Sequence, residues 1–65
     1  MANVRVILRQ SDGNGQSRVE EFQDAKARIA NGVLQIYRPP GSSAHEEESL
    51  AEFQDAAYLY WRYFD

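Results

Sequence analysis

The side chains able to do acid–base chemistry are concentrated in one short segment. The chain has one histidine and no cysteine. This histidine, His45, stands beside three consecutive glutamates at residues 46–48, after a stretch rich in proline, glycine and serine. Catalysis needs a convergent set of titratable or nucleophilic groups, and the sequence has neither a glycine-rich phosphate loop nor a serine-centred elbow. We therefore expect a solvated loop here, no catalytic residues and a protein that is not an enzyme.

Two segments carry oxygen ligands of the kind that bind metal ions. The glutamates at residues 46–48 do not converge if the loop is extended. Residues Asp12, Asn14 and Gln16 resemble the opening of a calcium-binding loop, but the position that needs a glutamate in such a loop is occupied by Gln23. Clusters of cysteine and histidine that would bind zinc are absent from the sequence. The sequence therefore predicts no metal site and no cofactor.

A dense aromatic segment indicates protein binding. Five of the eight aromatic residues lie between positions 58 and 64. In a strand, alternate side chains point to opposite faces, so aromatic side chains remain on the outside whichever face is buried. Exposed aromatic patches beside an arginine are typical of protein interfaces. The alternative interpretation is that this strand only covers an otherwise exposed core. The predicted interface residues are Tyr58, Tyr60, Trp61, Arg62, Tyr63 and Phe64.

A basic and aromatic surface is the second candidate site. In the predicted strands, four basic residues share the polar face, with a tyrosine opposite one of them. Small β-domains bind single-stranded nucleic acid with such surfaces, through phosphate contacts and base stacking. The net charge of −3 favours the alternative that these residues are solubilising charge. The residues of this candidate nucleic-acid face are Arg5, Arg9, Lys26, Arg28 and Tyr37.

The elements that would position these residues are mostly strands. A β-branched run at residues 4–10 predicts a strand, and the glycine- and asparagine-rich residues 11–16 predict a loop. Asn31 and Gly32 form the dipeptide preferred in a type I′ hairpin turn. With this turn, Ile29 faces Leu34 and the apolar and polar pairs fall on opposite faces, as a half-buried sheet requires.

A helix competes with the strands before the turn. Ser17 and Glu20 have the spacing of a capping box, and Asn31 and Gly32 would then end the helix. Lys26 interrupts the apolar stripe of that helix, which favours the hairpin. A second capping box at Ser43 and Glu46 would open a helix that runs into the aromatic segment.

A repeated string suggests two similar structural units. The sequence Glu-Phe-Gln-Asp-Ala occurs at residues 21–25 and again at 52–56. In each copy an apolar residue precedes the phenylalanine by three positions, a spacing that fits a helical turn or a bulged strand. The aromatic segment after the second copy would be apolar nearly all round a helix, so we expect a strand there.

These patterns predict the fold class. We expect residues 1–65 to form one small, mostly β domain, a β-meander or partly open barrel of five to six short strands. The alternative is an α+β arrangement in the order β-α-β-α. The sequence has no secretory signal and no apolar stretch near the roughly 20 residues needed to span a bilayer, and it has no cysteine. These features lead us to expect a cytoplasmic protein.

The sequence thus predicts a function class without identifying a partner. We expect a non-catalytic interaction or regulatory module that binds a protein partner, or a second copy of itself, through the aromatic C-terminal strand. The alternative is a small β-domain that binds single-stranded nucleic acid. A membrane partner is not expected, because the acidic balance disfavours anionic surfaces.

Overall fold

Two antiparallel sheets of three strands each form in the part of the chain that the structure describes. The computed structural model describes residues 2–11, 13–41 and 46–65. Sheet A has the strand order β2-β1-β6 and sheet B has the order β3-β4-β5. The strands are β1 (Asn3–Ser11), β2 (Ser17–Phe22), β3 (Lys26–Ala30), β4 (Val33–Arg38), β5 (Glu48–Gln54) and β6 (Tyr58–Phe64).

The mostly β prediction is confirmed, and the helical alternative is wrong. Six strands form among the described residues, and their two sheets do not close into a barrel. Ser17 begins β2 instead of capping a helix, because the segment pairs with β1. Within the described residues, the helical structure is limited to one 3-10 turn at Asp55–Ala57. No helix in this part of the chain is long and apolar enough to cross a membrane.

The hairpin of β3 and β4 has the predicted register. Ala30 lies opposite Val33, and Ile29 lies opposite Leu34. The turn residue Asn31 has φ 53° and Gly32 has φ 76°, the left-handed values that a type I′ turn requires. The local turn preference and the burial pattern therefore agree.

The core lies between the two middle strands. Val4 and Val6 of β1 and Leu34 and Ile36 of β4 are fully buried. Because each middle strand has neighbours on both sides, its inward side chains are covered from every direction. Ala25 completes this buried cluster.

The two copies of the repeated string lie where the chain passes from one sheet to the other. The first copy leads from β2 to β3 and the second from β5 to β6. The rings of Phe22 and Phe53 meet edge to face, 6.2 Å apart. The backbones then differ, since Asp24 has φ 52° whereas Asp55 opens the 3-10 turn. The copies are thus alike in position and differ in local conformation.

Hydrogen bonds fix the first of these crossings. The backbone N–H of Ala25 donates to the carbonyl of Ala2 at 3.0 Å. The Arg38 guanidinium donates to the carbonyls of Gln23 at 2.9 Å and Asp24 at 3.1 Å. Burial of Ala25 beneath this network anchors the start of sheet B against sheet A.

Candidate interaction surface

Strand β6 lies at the edge of sheet A, where β1 is its one paired neighbour within residues 2–11, 13–41 and 46–65. Its register places Trp61 opposite Val6 and Tyr60 opposite Ile7. Among the described residues, no backbone hydrogen bond joins β6 to any other strand. One side of its backbone is therefore available to a further strand.

The inward side chains of β6 hold the strand to the rest of the fold. Trp61 packs against the core cluster, and its ring meets that of Tyr63 edge to face at 5.3 Å. The Tyr63 hydroxyl accepts a hydrogen bond from the Ala27 N–H at 3.2 Å and donates to the Ala27 carbonyl at 3.5 Å. These two predicted interface residues therefore connect the sheets.

A bulge changes which aromatic residues face outward. Strict alternation would place Tyr58 on the same face as Tyr60. The register shifts between Ile7 and Leu8, so that Leu8 pairs with Tyr58 and Leu59 becomes the extra residue. Tyr58 consequently packs against the core cluster, while Leu59 is 48% exposed.

An apolar row crosses the outer face of sheet A. Ile7 lies between Val19 of β2 and Tyr60 of β6. Ile7 is only 9% exposed although it points away from the core, because its two neighbours flank it. Val19 is 50% exposed and Tyr60 is 55% exposed. We call Val19, Ile7 and Tyr60 the outer row; it ends at the free edge of β6.

A charged row lies beside the outer row on the same face. Arg5 pairs with Glu21, with an N–O distance of 2.6 Å, and its guanidinium carbon lies 4.3 Å from the centroid of the Phe64 ring. Arg62 lies opposite Arg5 but makes no ion pair, hydrogen bond or ring contact with any described residue. The guanidinium of Arg62 is thus available at the same edge as Tyr60.

The four edge strands differ in how much charge they carry. Strand β2 has three charged residues, whereas β3 and β5 have two each. Strand β6 has one in seven residues. Charged side chains on edge strands oppose pairing with another chain. The edge of β6 is therefore the least protected of the four.

The edge of β3 is the nearest competitor, since its Ile29 is 61% exposed. Two cations, Lys26 and Arg28, lie on this short strand. The N–H and carbonyl of Ala27 are already bonded to the Tyr63 hydroxyl. Part of this edge is therefore occupied.

The structure does not bring the candidate nucleic-acid residues onto one sheet. Arg5 and Arg9 belong to β1 in sheet A, whereas Lys26, Arg28 and Tyr37 belong to sheet B. On sheet B, Lys26 lies opposite Tyr37 as expected. The Arg28 guanidinium stacks on the Tyr37 ring with 4.3 Å between its carbon and the ring centroid.

Carboxylate and amide groups already engage Arg28. It donates to both carboxylate oxygens of Glu47, one of them at 3.0 Å, and to the Gln35 side chain at 2.7 Å. The hydrogen bonds with Glu47 raise the pKa of the Arg28 guanidinium above its ordinary value. A phosphate would have to displace Glu47 to bind here.

The remaining predictions concern chemistry. The described residues enclose no pocket and contain no group of three or more histidine, cysteine, aspartate or glutamate side chains placed to hold a metal ion. His45, Ser43 and Asp12 lie outside the described residues.

Some surface residues were missed by sequence reasoning. Ile7, Val19 and Leu59 were not predicted to be part of a site. Ile7 could have been found, because it alternates with Arg5 and Arg9 on the polar face of its strand. The exposure of Leu59 depends on the bulge, and no pattern in the sequence predicts that bulge.

The fold and surface together define a class: a small domain of two three-stranded sheets with an aromatic, weakly charged edge. No known family model matches the chain, and comparisons with curated proteins and with solved structures find no match.

Proposed function

We propose that this domain is a non-catalytic protein-interaction or regulatory module that binds its partner through the free edge of β6 and the outer row. One observation carries the proposal. The least charged edge strand is also the strand at which a partly exposed apolar row ends.

Strand addition is the binding mode that this geometry favours. A partner strand would hydrogen-bond to the unpaired side of the β6 backbone, and alternate side chains would supply specificity. Tyr60 and Leu59, each about half exposed, would be covered by the partner. Buried aromatic residues, with arginine beside them, contribute most of the energy at many interfaces, which gives Tyr60 and Arg62 the leading roles.

The experiment is an affinity capture with three versions of the full chain as bait in nuclease-treated extract of the native host. Tyr60→Lys places a charge on the β6 edge, and Ile29→Lys places the same charge at a similarly exposed position on the β3 edge. We expect the Tyr60→Lys bait to capture no partner. The partner counted here is either another protein or, if copies associate, a second copy of this chain. Ile29→Lys is expected to retain it. Circular dichroism checks that all three are folded.

Two results would overturn the proposal. Equal recovery of the partner with both variants would show that the partner does not bind at the edge of β6. If the unmodified chain captured no stoichiometric partner, the domain would not be an interaction module.

A second candidate is binding of single-stranded nucleic acid by sheet B. The supporting observation is the stacking of Arg28 on Tyr37 with Lys26 opposite that ring. Recovery that depends on intact nucleic acid, weakens steeply with salt and is lost with Tyr37→Ala would favour this function instead.

A further inference from the structure

We infer that the partner of β6 is the β6 strand of a second copy of this chain, paired antiparallel about a two-fold axis through Trp61. This inference rests on the proposed function, because it uses the same edge and names its occupant.

Strand β6 is complementary to its own antiparallel copy. If all seven residues of Tyr58–Phe64 overlap with their own antiparallel copy, Trp61 lies opposite itself and Arg62 lies opposite Tyr60 of the second copy. Tyr60 and Arg62 both point to the outer face of sheet A, opposite Ile7 and Arg5. Residues opposite each other across antiparallel strands share a face, so the guanidinium and the aromatic ring can meet.

The charge on β6 also favours a second copy in this register. Arg62 is the one charged residue of β6 and has no partner among the described residues. The two-fold pairing gives each Arg62 an aromatic ring, a favourable cation–π contact. Sliding the copies by two residues towards Phe64 places the two Arg62 guanidinium groups opposite each other and shortens the overlap. Like charges directly opposite each other are destabilising, which favours the register centred on Trp61.

The two-fold contact limits the assembly to two copies. Pairing at β6 would join two copies of sheet A into one sheet of six strands, with β2 at both ends. Strand β2 carries Arg18, Glu20 and Glu21, which oppose further pairing. An isologous contact of this kind gives a closed dimer instead of a fibre.

A second copy would also bury apolar surface that the small core of one chain leaves exposed. The buried hydrophobic residues of the described chain number six, and no disulfide reinforces them. Small domains of this kind often gain stability from oligomerisation. In the register centred on Trp61, Arg62 of the second copy covers Tyr60, the side chain that the isolated chain leaves half exposed.

Sedimentation velocity of the full chain over a wide concentration range tests the dimer. We expect a reversible monomer–dimer equilibrium. Tyr60→Lys is expected to raise the dissociation constant more than about tenfold, because the substitution acts at two symmetric places. Ile29→Lys, the matched control on the β3 edge, is expected to leave the constant unchanged.

Engineered cysteines test the register in a chain that has no cysteine of its own. Oxidising a mixture of the Tyr60→Cys and Arg62→Cys chains should give a mixed disulfide, since opposed residues lie within the Cα separation that a disulfide spans. Each variant alone should remain uncrosslinked. Ile29→Cys mixed with either variant controls for random collision.

Each result has a definite meaning. A disulfide formed by Arg62→Cys alone would overturn the register. A chain that remains monomeric at every concentration would overturn the second copy as partner. If that monomer still captures another protein that Tyr60→Lys loses, the proposed function stands while this inference fails. If nothing is captured either, both fail.

Discussion

At the scale of single residues, the direction of a side chain matters more than its type. Tyr60 and Tyr63 belong to the same strand and are similarly exposed, at 55% and 48%. Tyr63 uses its hydroxyl to join β6 to Ala27 of sheet B, whereas Tyr60 lies in the outer row. In the described part of the chain Tyr60 makes no hydrogen bond to sheet B, which makes it the residue on which to test binding.

The pair Leu34 and Ile29 gives a prediction about stability. They lie opposite each other, but Leu34 is fully buried and Ile29 is 61% exposed. Leu34→Ala should lower the free energy of unfolding by about 2–5 kcal/mol, which is comparable with the roughly 3–5 kcal/mol that so small a core supplies. Ile29→Ala should cost less than about 1 kcal/mol, since most of its side chain remains in water.

Urea denaturation followed by circular dichroism, at one fixed protein concentration, measures both variants. Equal loss of stability in the two would contradict the position of the core between β1 and β4.

Much of the residue-level pattern was predictable from alternation. The opposite directions of Tyr60 and Trp61 follow from the period of a strand. The pairing of Lys26 with Tyr37 follows from the position of the turn at Asn31 and Gly32. The inward direction of Tyr58 was not predictable, because it depends on a bulge that forms only when β6 aligns with β1.

At the scale of elements, the hairpin of β3 and β4 was predictable in full. Its turn dipeptide and its burial pattern are both local signals and both indicate the same register. The capping-box pattern of Ser17 and Glu20 is also local, but it loses to the pairing of β2 with β1. That pairing is a contact between distant parts of the chain, which local sequence does not report.

The turn itself carries a prediction. Gly32 has φ 76°, so Gly32→Ala should destabilise the domain by about 1 kcal/mol, because a Cβ disfavours left-handed backbone. Gly41 is the control: it has no positive φ and open space around the position of a Cβ. Gly41→Ala should leave stability unchanged or slightly higher.

Thermal unfolding of the two glycine variants compares them directly. If Gly41→Ala lowered the stability of the domain as much as Gly32→Ala, the left-handed backbone of the type I′ turn would not be the cause of the loss.

At the scale of the whole molecule, topology decides which surfaces can act together. The strand assignments alone allowed Arg5 and Arg28 to share one polar face. Their strands lie in different sheets, and the ring contacts of each arginine stay within its own sheet. The division of strands between two sheets depends on the crossings after β2 and after β5, and no local pattern in the sequence specifies them.

Salt dependence separates the two candidate functions of the whole domain. Association through β6 buries mainly apolar and backbone groups, so added sodium chloride should change its dissociation constant little. Binding of nucleic acid through Lys26 and Arg28 should weaken steeply, because salt competes for the phosphates. Sedimentation velocity at low and high salt measures the first, and fluorescence anisotropy with a labelled single strand measures the second.

Amide hydrogen exchange is the most direct test of the claim that the edge of β6 is the binding edge. The full chain is compared when dilute and when bound, either to its captured protein or to a second copy at high concentration. We predict added protection of the amides across Tyr58–Phe64 and none across Lys26–Ala30. Protection that falls on β3 and β4 while β6 exchanges as before would contradict it.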